Sequence, residues 1–137
     1  MSLPPQATLE QFDPEAARWV TAFYAATRPE HAALLSLVTL KPWRRWRFNN
    51  AAITFGRSIW VAEHWWEAPY TTWDRATLLG HELRHVEQGE RWGFAGYLAR
   101  AVGQTLLRLS YERTAFEQEA EQQEKVFIRW LKIMGRA

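Results

Sequence analysis

The run Leu78-Leu79-Gly80-His81-Glu82-Leu83-Arg84-His85 decides how the rest of the chain is read. Ala76, Leu79, Leu83 and Val86 recur at helical spacing and, at about 100° per residue, form one apolar face. Leu78, His81, Glu82 and His85 fall on a different face. Two imidazoles four residues apart on a helix stand one turn above each other and can close on a single ion. The Glu beside the first His can then reach a water at that ion. The ordinary alternative is a solvated helix face on which Glu82 pairs with a cation; the complete H-E-x-x-H spacing on a helix favours the metal reading.

Outward from this helix, Thr72 or Asp74 can cap its start, and Gly89 marks its expected end. A further helix is expected from about Trp92 to Leu109, with Phe94, Tyr97, Leu98, Ala101, Val102 and Thr105 on one stripe. The last helix should open near Thr114 and run to Met134, turning Phe116, Ala120, Phe127, Leu131 and Met134 inward. Upstream, Ala52-Ile53-Thr54-Phe55, Gly56-Arg57 and Ser58-Ile59-Trp60-Val61-Ala62 read as two short strands around a glycine turn. Asp13-Pro14-Glu15 reads as an N-cap, an N1 proline and a first-turn acid, which predicts a helix over 14–27. Thr27 with Glu30 resembles a capping box, predicting a second helix through Leu34, Leu35, Val38 and Leu40 that Pro42 stops. The expected fold class is α+β, mostly helical with one hairpin.

The 137 residues, 47% hydrophobic and including nine Trp, fit a single domain over 1–137. A chain of this length can bury about two-thirds of the surface it exposes when unfolded. It has no cysteine, which excludes disulfide scaffolds and Cys-ligated zinc modules. A metal site must therefore draw on the four His, two Asp and thirteen Glu. A net charge of +2 and a pI near 9.2 fall short of the dense basic stripe of a nucleic-acid binder, so no nucleic-acid partner is expected. The Lys41-Pro42-Trp43-Arg44-Arg45-Trp46-Arg47 cluster and the Trp92–Leu109 segment leave peripheral membrane contact open, although a solvated loop and a core helix explain them as well. With no signal-like N-terminus and no uncharged apolar run of about eighteen residues, the expected location is cytoplasmic.

Two His do not complete a hydrolytic zinc site. No His follows His85, and His31 and His64 lie upstream, so the acid-rich run Glu117-Gln118-Glu119-Ala120-Glu121 is left as the source of a third ligand. In these features the chain resembles the gluzincin class of zinc peptidases, and in size the minigluzincins. There H-E-x-x-H on one helix is completed by a Glu on a later helix, often as E-x-x-A-D or E-x-x-A-E. The resemblance covers about half the chain, from Ala52 to Glu121. It implies a zincin-like domain with a short hairpin or edge strand packed over the H-E-x-x-H helix, and one Zn2+ per chain held by His81, His85 and Glu117. It implies Glu121 as a carboxylate supporting a ligand and Glu82 as general base. It also implies Tyr111 as a candidate oxyanion donor, and a peptide or protein substrate paired along the Ser58–Glu63 strand. Trp60, Trp65, Trp66 and Tyr70 are the aromatics near that strand.

Glu119 remains an alternative to Glu117, since the two flank the apolar face at similar angular distance. Glu117 can also serve as N3 of a capping box opened by Thr114. Glu112 and Glu124 are expected to be solvated. The leading functional expectation is a zinc metallopeptidase. The competing readings are a zinc-containing but latent interaction module and a basic-aromatic nucleic-acid or membrane-binding domain.

Overall fold

Asp13 opens the first long helix as its sequence context asks. The computed structural model describes residues 5–43, 52–66, 70–108 and 115–135, and of residues 94, 95, 97–108, 115 and 116 the backbone alone. A single turn, α1 (Leu9–Phe12), is closed by a Thr8–Gln11 capping box. Asp13 follows with extended backbone, and its Oδ1 accepts the Glu15 and Ala16 N–H groups at 3.1 and 3.0 Å. With Pro14 at N1 this starts α2 (Pro14–Thr27), with the bounds expected from sequence. Ala16, Ala17, Val20, Phe23 and Tyr24 are its buried face.

The segment after α2 departs from expectation. Thr27 does not cap a new α-helix: its hydroxyl donates to the Phe23 carbonyl. A 3₁₀ segment, Pro29–Leu37, follows without a side-chain cap, and Val38 then turns extended. Leu40 belongs to a strand, β1 (Thr39–Trp43), and Pro42 sits inside that strand rather than stopping a helix. The β-branched Val38 and Thr39 favour this outcome, and Val38 and Leu40 are buried while Thr39 and Lys41 are half-buried, the alternation of a strand. Proline is tolerated because β1 lies at the sheet edge.

The expected hairpin forms from β2 (Ala52–Phe55) and β3 (Ser58–Ala62), with Gly56 at φ 60° in the turn. The order is β1-β3-β2, with β3 parallel to β1 and antiparallel to β2. This corrects the assignment of Ser58–Glu63 as the edge strand. Its strand portion is central and paired on both sides, and Glu63 begins a 3₁₀ turn, Glu63–Trp66. Among the described residues the open edge over the motif helix belongs to β2, whereas the outer edge of β1 exchanges two backbone bonds with Ala7.

The motif helix and the one expected after it form one helical stretch, α3 (Thr72–Arg108), broken at Gly93 (φ 74°, ψ 161°), four residues beyond the expected stop at Gly89. Gly89 is instead covered by the hairpin turn: a Cβ there would lie 3.8 Å from the Gly56 backbone. The last helix is α4 (Ala115–Ile133). Ala120, Phe127 and Leu131 face inward as expected, but Met134 lies past the helix end and is exposed. One buried cluster joins α1, α2, the sheet, Ala76, Leu79, Leu83 and Val86 of α3, and Phe127 and Leu131 of α4. The architecture is α+β and mostly helical.

Candidate metal centre

The site begins with a glycine. Gly80 precedes His81, and a Cβ at this position would come within 2.5 Å of the Phe127 ring. Without a side chain there, α4 lies directly on α3. Gln123 reinforces the contact by donating from Nε2 to the Gly80 carbonyl at 3.0 Å. This close approach carries the first turn of α4 to the polar face of α3.

Glu117 consequently meets both imidazoles. Its Oε1 lies 2.5 Å from His81 Nε2, and its Oε2 lies 3.1 Å from His85 Nε2. One donor atom from each of the three residues falls within 4.8 Å of the others. A tetrahedral zinc with N and O ligands separates its donors by about 3.4 Å, so two imidazoles and one carboxylate at this spacing suit such an ion in chemistry and in reach. Among the described residues this is the one group of three or more His, Cys, Asp or Glu side chains gathered closely enough to hold a metal.

The electrostatics follow from burial and pairing. Burial pulls the His81 imidazole down, but the bond to Glu117 and the charges of Glu82, Glu117 and Glu124 outweigh it and raise the pKa to about 9. Burial pushes the Glu117 carboxyl up; His81 and His85 overcome this and hold it well below the usual carboxylate range. Glu82 is 5% exposed, and its burial raises its pKa against the pull of His85, His81 and Thr54. A carboxylate whose affinity for protons is raised is suited to take a proton near neutral pH.

Thr54, on the open-edge strand, donates its hydroxyl to Glu82 Oε2 at 2.7 Å. The sequence reading missed this contact. Only the packing of β2 along α3 makes it, and the same packing pairs Arg57 with Glu90 at 2.5 Å.

Glu119 is committed elsewhere: its Oε1 accepts from Gln88 Nε2 at 3.1 Å and lies 2.8 Å from both Arg84 and Arg91. Glu124, expected to be solvated, is half-buried with Oε1 3.9 Å from His81 Nδ1, so this carboxylate approaches the His81 ring from α4. His31 lies by Glu87, and His64 packs its ring against Tyr70; neither belongs to the three-residue group. Trp65 stacks on Tyr70, Trp66 packs edge-on against Phe12, and Trp60 meets Trp43 under the Lys41 ammonium. Tyr111, Thr114 and Arg44–Arg47 lie outside the described residues.

No family model matches this chain. Neither a curated protein nor a solved structure matches it. The functional reading therefore rests on the site itself. Among the described residues, no helix is long and apolar enough to cross a membrane.

Proposed function

We propose that this protein is a zinc-dependent metallopeptidase of gluzincin type, with His81, His85 and Glu117 as ligands and Glu82 as general base. The observation that carries the reading is the convergence of Glu117 on both motif imidazoles from a helix more than thirty residues away in sequence. When bound, zinc supplies Lewis acidity, lowering the pKa of a coordinated water toward neutrality and polarising a carbonyl. Glu82 accepts the proton of the attacking water and returns it to the leaving amine. Thr54 holds the Glu82 carboxylate by one oxygen, leaving the other for that transfer.

An extended peptide pairs with β2 in this reading. In a hairpin with a two-residue turn, the pairs Phe55–Ser58 and Ile53–Trp60 exchange backbone bonds, so Ala52 and Thr54 direct theirs to the opposite edge. Among the described residues no strand occupies that edge. Main-chain pairing there would lay the scissile bond along the helix that carries Glu82.

The test is metal content by elemental mass spectrometry on the parent, His85→Ala and Glu117→Ala, followed by a peptide-library assay of the parent and Glu82→Gln. The expected result is about one zinc per parent chain, lost in both ligand variants, with hydrolysis by Glu82→Gln down about 10²- to 10⁴-fold. A parent that takes up no zinc on reconstitution, or Glu82→Gln as active as the parent, overturns the proposal.

A further inference from the structure

Gln88 is fully buried one turn beyond His85, and its two amide ends face chemically different partners. Its Nε2 lies 3.1 Å from Glu119 Oε1, and its Oε1 lies 2.8 Å from His85 Nδ1. A carboxylate can only accept, so the amide end facing Glu119 must be the NH2 group. The carbonyl end then faces His85, and because an amide oxygen also only accepts, Nδ1 must carry a hydrogen. Nε2 is then the ring nitrogen that faces Glu117 Oε2, 3.1 Å away; a hydrogen on Nε2 meets that carboxylate in the metal-free chain, and a metal would take the hydrogen's place.

We infer that Glu119 and Gln88 form a positioning relay that holds a hydrogen on His85 Nδ1 and so leaves Nε2 as the ring nitrogen for ligation. The inference rests on the metallopeptidase reading for its purpose, but not for its geometry. Arg84 and Arg91 hold the far end in place, each with a guanidinium nitrogen 2.8 Å from Glu119 Oε1. The order of the relay is enforced by charge: Glu119 has no proton to offer, so the amide cannot reverse without facing one acceptor with another. Glu119, two residues from Glu117 on the same helix, therefore does separate work. One helix turn supplies a candidate ligand and the anchor that orients another.

The test is nitrogen-15 imidazole NMR of the metal-free full chain carrying Glu117→Ala, which removes the carboxylate that competes for a hydrogen on Nε2, with His85 assigned by its loss on adding His85→Ala. The spectra distinguish the imidazolium and both neutral tautomers and do not depend on zinc binding. In that background the neutral His85 ring is expected as the Nδ1–H tautomer. Gln88→Leu, similar in size but without the amide, should lose that preference. Glu119→Gln, which can face Gln88 with a donor or an acceptor, should show a mixture. Zinc affinity should fall about 10- to 100-fold in Gln88→Leu, the usual cost of removing the partner of a ligating His, with circular dichroism unchanged. An Nε2–H ring in Glu117→Ala, or an unchanged tautomer when Gln88→Leu is added to it, overturns the relay whether or not zinc binds. A locked Nδ1–H ring in Glu117→Ala beside a parent that takes up no zinc would sustain the relay and overturn the metallopeptidase reading instead.

Discussion

Glu82 and Thr54 show how one hydroxyl can set the working range of a buried acid. Burial raises the Glu82 pKa and the Thr54 bond opposes it, so Thr54→Val should raise it further. The acidic limb of the kcat/KM profile should then move to higher pH, while zinc content stays at the parent value. Glu82→Gln should keep the metal and lose about 10²- to 10⁴-fold in turnover, the range that general acid–base catalysis contributes. The Glu117–imidazole contacts make a second prediction for the metal-free chain. The folded pKa of His81 is raised from 6.5 to about 9, so its contribution to stability is full below about 6.5 and lost as pH rises through about 9. The Glu117 pKa is depressed, so its contribution is present above its unfolded value near 4.5 and lost as pH falls. Urea midpoints in chelator should accordingly peak between about pH 5 and 6.5 and decline on both sides. Glu117→Ala should flatten that profile; an unchanged one would mean that the pairing does not stabilise the fold.

At the scale of elements, the site depends on how closely α4 can lie against α3. Gly80→Ala would thrust a methyl to within 2.5 Å of the Phe127 ring. The expected cost is about 1–3 kcal/mol of stability, the range for overpacking a core, together with weaker zinc uptake because Glu117 rides on the displaced helix. Adding Phe127→Leu should recover part of both, measurable by thermal melts and metal titration. Much of the element pattern was legible in the sequence. Asp13-Pro14-Glu15 specifies its helix by local capping, and the Ala52–Ala62 run specifies its hairpin by a change of period around glycine. The segment 29–43 departs from expectation because Leu34, Leu35 and Val38 satisfy a helical wheel, while Leu40 gains its burial by pairing with Ala7 and Ile59 from distant parts of the chain. Tertiary pairing there overrides a local pattern.

Across the whole molecule, a buried polar network on α2, α3 and α4 braces the helices behind the site. Tyr24 donates to Glu87 Oε2 at 2.5 Å and accepts from Gln123 at 2.8 Å, and Arg28 and Arg84 close on Glu87 Oε1. Tyr24 is fully buried, and burial with the Glu87 charge drives its pKa far up, so it stays a neutral donor. Tyr24→Phe strips the donor from a buried carboxylate and should cost about 1–3 kcal/mol. Zinc stoichiometry should be unchanged, because the proposed ligands His81, His85 and Glu117 are untouched; denaturation and elemental analysis of the same preparation separate the two effects. Loss of zinc with the fold intact would mean that the network sets the ligand geometry as well as the packing.

The sequence by itself determined the motif face of α3, the apolar face behind it, the capped helix over 14–27, the hairpin and the acidic start of α4, because each is written in local spacing. It could not show which of Glu117 and Glu119, equivalent on an isolated helix wheel, meets the two imidazoles. Nor could it show which strand is the edge, that Thr54 meets Glu82, or that Gln88 links His85 to Glu119. Tertiary structure decided these. The closeness of α4 at Gly80 turns Glu117 to the imidazoles and Glu119 to Gln88 and the arginines, and the parallel pairing of β1 encloses β3 and leaves β2 as the open edge among the described residues. Such contacts join residues dozens of positions apart, where no local periodicity carries the information.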